Sequence, residues 1–122
     1  MFSLRFASIN MALAIMLGAF GAHGLKGKVS TLALETFLTG NRYHLLMSLS
    51  LILLWSLQKQ LRLDFKKPMG LIGLGIFLFS FNCYLYAITS IKTFALIVPF
   101  GGVSFIASWI WVSILLIRTH HD

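Results

Sequence analysis

Four side chains that can carry charge or protons cluster in sequence around the first break in an apolar chain: His23, Glu35, Arg42 and His44. Imidazole changes charge near neutral pH. Two histidines and a carboxylate could hold a divalent metal, and two histidines on adjacent helices could ligate haem. The spacing does not favour these readings, because it contains neither His-x-x-x-His nor Glu-x-x-His. The structural alternative is simpler. His23 would bond the free carbonyls of a helix end, and His44 would bond Tyr43, Glu35 or a carbonyl.

Asn10 and Asn82 lie within apolar runs. A buried amide costs free energy unless it is bonded, so both are expected to face the interior and bond across helices. Asn82 would then join His23, Glu35, Arg42 and His44 around a candidate polar pocket. Cys83 is the only cysteine and so forms no internal disulfide; it reads as a small buried hydrophobe without a base to activate it. The chain holds no Ser-His-Asp set, carboxylate pair or phosphate loop, so we expect no catalytic residue, no cofactor and no resident metal.

Two backbone motifs stand beside these groups. In Gly18-Ala19-Phe20-Gly21-Ala22-His23-Gly24, Ala14, Gly18 and Ala22 make a ridge at spacing four, which lets helix backbones touch. Pro99-Phe100-Gly101-Gly102 predicts irregular backbone near Val98, because proline past the first turn removes a helix hydrogen bond. Such a break builds either a kink packed against the glycine-rich first helix or a ligand pocket beside it.

These groups must be positioned by membrane helices. Of 122 residues, 58% are hydrophobic and 11% charged, and the mean hydropathy is +0.89. Three acids and ten bases cannot coat a soluble domain of this size. A crossing helix needs about 20 apolar residues. The expected fold is all-α: an integral membrane four-helix bundle forming one domain, with spans near 4–22, 41–57, 68–90 and 94–117. A signal peptide is the rival for the first span, opposed by the embedded remainder of the chain. Thr31–Thr39 reads as a short amphipathic interfacial helix, or as the first turns of a long second span.

The net charge of +7 lies mostly between the apolar stretches, where it sets topology rather than binding nucleic acid. The loop Gln58–Lys67 holds four bases and one acid. With that loop inside, Arg5 and Arg118 share its side, and both termini are cytoplasmic. Glu35 and Asp64 then lie on opposite sides of the membrane and cannot work as a pair.

The opening glycine motif, Tyr43-His44-Leu45-Leu46, Leu78-Phe79-Ser80 with Tyr84, and Pro99 with Gly101-Gly102 and Trp109 resemble the YgdD-like family of small bacterial inner-membrane proteins. Phe81 and Ser108 stand where the family pattern has glycine. The resemblance covers nearly the whole chain and implies four spans in the bacterial inner membrane, with no established activity and no catalytic residue. The leading functional expectation is a non-enzymatic structural, accessory or lipid-interacting bundle, partnered by membrane lipids, by itself as a homo-oligomer, or by another membrane protein. A small-molecule, lipid or ion binding or transport module is the alternative, with its pocket between the first span and the Pro99–Gly102 break. A metal or haem protein using His23 and His44 comes third.

Overall fold

The computed structural model describes residues 2–120, with side chains from 4 to 119. Its elements are all helical: α1 (Phe2–Ala19), extended by a π-turn over Phe20–Gly24, α2 (Thr31–Leu61), α3 (Lys66–Gly75), a π-turn over Ile76–Phe81, α4 (Asn82–Thr89) and α5 (Lys92–His120). Since α3, the π-turn and α4 form one continuous rod, the described residues make four helices. Three of them, Leu4–Gly24, Lys66–Thr89 and Lys92–Thr119, are long and apolar enough to cross a bilayer.

Local chemistry sets the helix ends. Ser30 is extended, and its hydroxyl accepts the Ala33 N–H at 3.0 Å, which caps α2. Arg62 closes α2 in the left-handed conformation, φ 56°. The Gln58 and Asp64 side chains then accept the Phe65 and Lys66 N–H groups, at 3.1 and 2.9 Å. Pro68 sits in the first turn of α3, where its missing N–H costs nothing.

Residues 31–39 form the first turns of α2 and not a separate interfacial helix. Of the two sequence readings, continuity holds, because the Ser30 cap starts a helix that nothing interrupts before Arg62. Gly40 lies within it. Its face is needed in mid-helix, where a Cβ would overlap the Cys83 side chain and approach the Ser80 carbonyl at 3.1 Å.

The expected irregular backbone near Val98 is also corrected. α5 runs unbroken through an exposed Pro99. In hydrocarbon every opened backbone bond costs several kcal/mol, so losing one bond is cheaper than unwinding a turn. The irregular backbone lies opposite instead, in the Ile76–Phe81 π-turn.

Packing runs in a chain. α1 lies on α2, α2 on α4 and the π-turn, and α5 on α3, the π-turn and α4. The glycines of α5 therefore do not meet the glycine-rich first helix. Gly101 presses on the backbone of Leu78 and Phe79, while Gly75 meets Phe105. One stripe of α5, Gly101, Ser104, Phe105, Ser108 and Val112, is buried. Within it the Ser104 and Ser108 hydroxyls donate to the carbonyls of Leu71 and Pro68, each at 2.6 Å. The opposite face, from Leu96 through Phe100 and Val103 to Ile117, is exposed and apolar. Such a surface suits lipid and not water.

Candidate functional site: a buried histidine between two apolar clusters

Two apolar clusters fill the bundle. One gathers Leu51, Leu54, Phe65, Met69, Ile72 and Phe105 with Ala7 of α1. The other gathers Leu25, Phe37, Tyr84 and Ala87. On α2 the buried residues of the first cluster are Leu51 and Leu54 and that of the second is Phe37; between them lie Gly40 and three buried polar residues, Asn41, His44 and Ser48. This i, i+3, i+7 spacing points all three inward. α1 supplies Asn10 and α4 supplies Tyr84.

These residues form one hydrogen-bonded layer. His44 is fully buried. Its Nε2 lies 2.9 Å from Asn10 Oδ1, and its Nδ1 lies 2.8 Å from the Tyr84 hydroxyl. The Asn41 amide nitrogen reaches the Ala14 carbonyl at 2.6 Å and the Tyr84 hydroxyl at 3.2 Å. The Asn10 amide nitrogen donates to the Phe6 carbonyl at 3.0 Å.

Backbone carbonyls fix every direction in this layer. A carbonyl only accepts, so the Phe6 and Ala14 carbonyls fix which end of each amide is the nitrogen. Asn10 Oδ1 then faces His44 and must accept, which puts the ring proton on Nε2. With Asn41 donating both of its hydrogens, the Tyr84 oxygen accepts one of them. Its own hydrogen goes to the bare Nδ1 of His44. A neutral ring satisfies the whole chain of bonds, whereas an imidazolium would leave Nδ1–H facing the Tyr84 hydroxyl and that hydroxyl's hydrogen without an acceptor.

The other sequence candidates lie elsewhere. His23, Glu35 and Arg42 are exposed, and both ring nitrogens of His44 are already taken by other residues. Tyr84 and Asn10, rather than Tyr43, Glu35 or a carbonyl, hold the His44 ring. Asn82 is buried as expected, but it bonds its own helix and not another. Its amide donates to the carbonyls of Phe77 and Leu78 at 3.1 and 3.0 Å, groups at the π-turn where the regular bonding pattern slips. Among the described residues, no three His, Cys, Asp or Glu side chains come together as a metal site.

The glycine motif acts through α2. A Cβ at Gly18 would lie 2.7 Å from the Asn41 amide oxygen, and one at Gly21 would meet the Phe37 ring. Gly18 thus leaves room for the Asn41 side chain beside Ala14. The π-turn that begins at Phe20 turns Ala22 and His23 outward, so the ridge continues through Gly21 and not Ala22. Gly24 packs under the ring of Phe20. The Phe81 ring stands edge-on to His44, with ring centroids 5.3 Å apart.

Asn41 and Tyr84 were missed as site residues in the sequence. The signal for Asn41 was its register with His44 and Ser48; for Tyr84 no local signal exists, because only the packing of α4 on α2 brings it to His44. The hydroxyls of Ser48 and Ser80 are buried without a hydrogen-bond partner.

A groove of about 510 Å³ opens on the outer surface between α2 and α5. Gly102 is on its wall, but α1 is not, so it is not the pocket expected between the first span and Pro99.

Residues 17–102 match the family model described as "Protein of unknown function (DUF423)". The chain is 39% identical over 113 residues to the UPF0382 membrane protein YwdK of Bacillus subtilis, covering 91% of this chain and 92% of that one. It is 35% identical over 107 residues to a UPF0382 membrane protein of Staphylococcus aureus, covering 88% of each. It is 32% identical over 118 residues to the UPF0382 inner membrane protein YgdD of Escherichia coli K12, covering 96% of this chain and 90% of that one. No solved structure matches the chain.

Proposed function

As the chain belongs to the DUF423 family of membrane proteins, we propose that it works as a non-enzymatic, lipid-interacting helix bundle of the bacterial inner membrane. One observation carries this reading. The histidine best placed for chemistry, His44, is sealed at both nitrogens by Asn10 and Tyr84 and touches no open space. A general base or metal ligand needs a free nitrogen within reach of its partner. Here the imidazole holds three helices in register.

α2 is the fourth span in this reading. Its inward face carries Asn41, His44 and Ser48, which lower its hydropathy, while Leu46, Leu49 and Leu53 face outward and are about half exposed. In water that stripe would be costly; in lipid it is ordinary. In this reading the basic end formed by Lys59, Arg62, Lys66, Lys67 and Arg118 faces the cytoplasm, with both termini on the same side. The partners of such a surface are membrane lipids.

The test is purification in mild detergent followed by an optical spectrum, metal analysis and lipid extraction. Retained phospholipid with no Soret band and no stoichiometric metal is expected. A haem spectrum or one metal per chain overturns the reading. Orientation is checked by moving the single cysteine: with Cys83→Ser, a cysteine at Thr119 should be shielded from an impermeant thiol reagent in intact cells, and one at Lys26 should be labelled.

A further inference from the structure

We infer that the groove between α2 and α5 is a binding site for one acyl chain of an anionic phospholipid in the cytoplasmic leaflet, with Arg118 at the headgroup. The proposal rests on the lipid-interacting reading above and makes it specific to a site and a charge.

The groove lies on helices that face hydrocarbon, so a chain of methylenes is what its walls meet. Its outer end is closed by aromatic rings. Tyr43 stands edge-on to Phe79 with centroids 5.0 Å apart and nearly parallel to Phe105 at 6.3 Å. From there it follows α5 from Gly102 to Ser113, a length of about 16 Å at the helical rise. That suits an acyl chain and is too short for a partner helix to cross the bilayer in it. The Ser113 hydroxyl is turned back onto the Trp109 carbonyl at 2.9 Å, which leaves the inner stretch apolar.

Charge decides which lipid. Because the helices run up and down, α5 ends where α2 ends. Arg118, five residues beyond Ser113, lines an adjoining cleft with Ala107, Trp111 and Ile114, and this cleft meets the groove at Ile110. The same end carries Lys59, Arg62, Lys66 and Lys67, and its one acid among the described residues, Asp64, is occupied in capping α3. A phosphate with a net negative headgroup fits this end better than a zwitterion.

Bromine on acyl chains quenches tryptophan on contact, which gives a local reading. Two variants are reconstituted in phosphatidylcholine vesicles: one keeps only Trp109, on the groove, and the other only Trp111, in the neighbouring cleft that Arg118 also lines. Brominated phosphatidylglycerol should half-quench Trp109 at a mole fraction roughly fivefold lower than brominated phosphatidylcholine, the effect of about one favourable charge contact. Gly102→Leu should abolish that preference and spare Trp111 quenching. An added Cβ at Gly102 meets only the Phe79 ring, at 3.8 Å, so a longer side chain enters the groove without disturbing the backbone. Arg118→Gln, an exposed substitution near the end of the chain, should bring the two lipid curves together and serves if Gly102→Leu does not fold.

Equal quenching of Trp109 by both lipids overturns the proposal, as does a Gly102→Leu variant with unchanged quenching. Shielding of Trp109 from both lipids, with chemical crosslinking into dimers, assigns the groove to a second copy of the chain and also overturns it. If neither tryptophan is quenched by either lipid, the broader lipid-interacting reading fails as well.

Discussion

The Tyr84 hydroxyl donates to Nδ1 of His44 across 2.8 Å, and it does so because two backbone carbonyls on α1 leave the layer no other arrangement. Nitrogen NMR of ring-labelled protein in lipid should therefore show His44 as the neutral Nε2–H tautomer. A neutral Nδ1–H tautomer or a doubly protonated ring at pH 7 would show that one of the two amides is turned the other way.

Removing the hydroxyl tests the same bond energetically. Tyr84→Phe keeps the ring packed against Phe37, 4.6 Å between centroids, but leaves His44 Nδ1 buried without a donor. Asn41 still keeps Ala14. Interhelical hydrogen bonds in membranes contribute modestly, so a loss of about 1–2 kcal/mol is expected in denaturant unfolding from mixed micelles. His44→Ala should cost more, about 2–4 kcal/mol, because it adds a cavity and leaves the Asn10 oxygen and the Tyr84 hydroxyl hydrogen without their partner. The double variant should fall short of the sum, since both substitutions remove the same bond.

What the chain reveals before folding divides along the same lines. Helices were legible because hydrocarbon enforces them, and Asn10 was legible as an inward amide because it has no other place to go. The inward register of Asn41, His44 and Ser48 was also written in the sequence. It was hidden by the more conspicuous charges of Glu35 and Arg42, which the same helix turns outward. The partnership of His44 with Tyr84, 40 residues away, depends on how α4 lies on α2, and no spacing rule encodes that. Pro99 misled for a physical reason. Proline marks where a bond is missing, but the distortion appeared in the neighbouring helix, whose backbone at Phe79 lies against the side of Gly101 that has no Cβ.

That contact separates two adjacent glycines. At Gly101 a Cβ would overlap the Phe79 backbone nitrogen and lie 2.8 Å from the Leu78 carbonyl carbon, atoms that cannot move without shifting the helix. At Gly102 it would meet only the edge of the Phe79 ring, at 3.8 Å. Gly101→Ala should destabilise the bundle by about 1–3 kcal/mol, whereas Gly102→Ala should be neutral or slightly stabilising. Thermal unfolding of the two variants side by side checks this, and equal effects would mean that α5 does not approach the π-turn this closely.

Asn82 should behave as part of its own helix rather than as a contact between helices. Its amide serves two carbonyls, Phe77 and Leu78, at the π-turn over Ile76–Phe81. Asn82→Leu removes both bonds in a buried place, and the carbonyl left without a backbone donor has no water to turn to. A loss of about 1–2 kcal/mol is expected, with faster amide exchange confined to residues 76–82. The His44 layer should remain intact, so Asn82→Leu and Tyr84→Phe should add in their effects despite being two residues apart in sequence. Strong coupling between them would mean instead that the π-turn and the histidine layer open together.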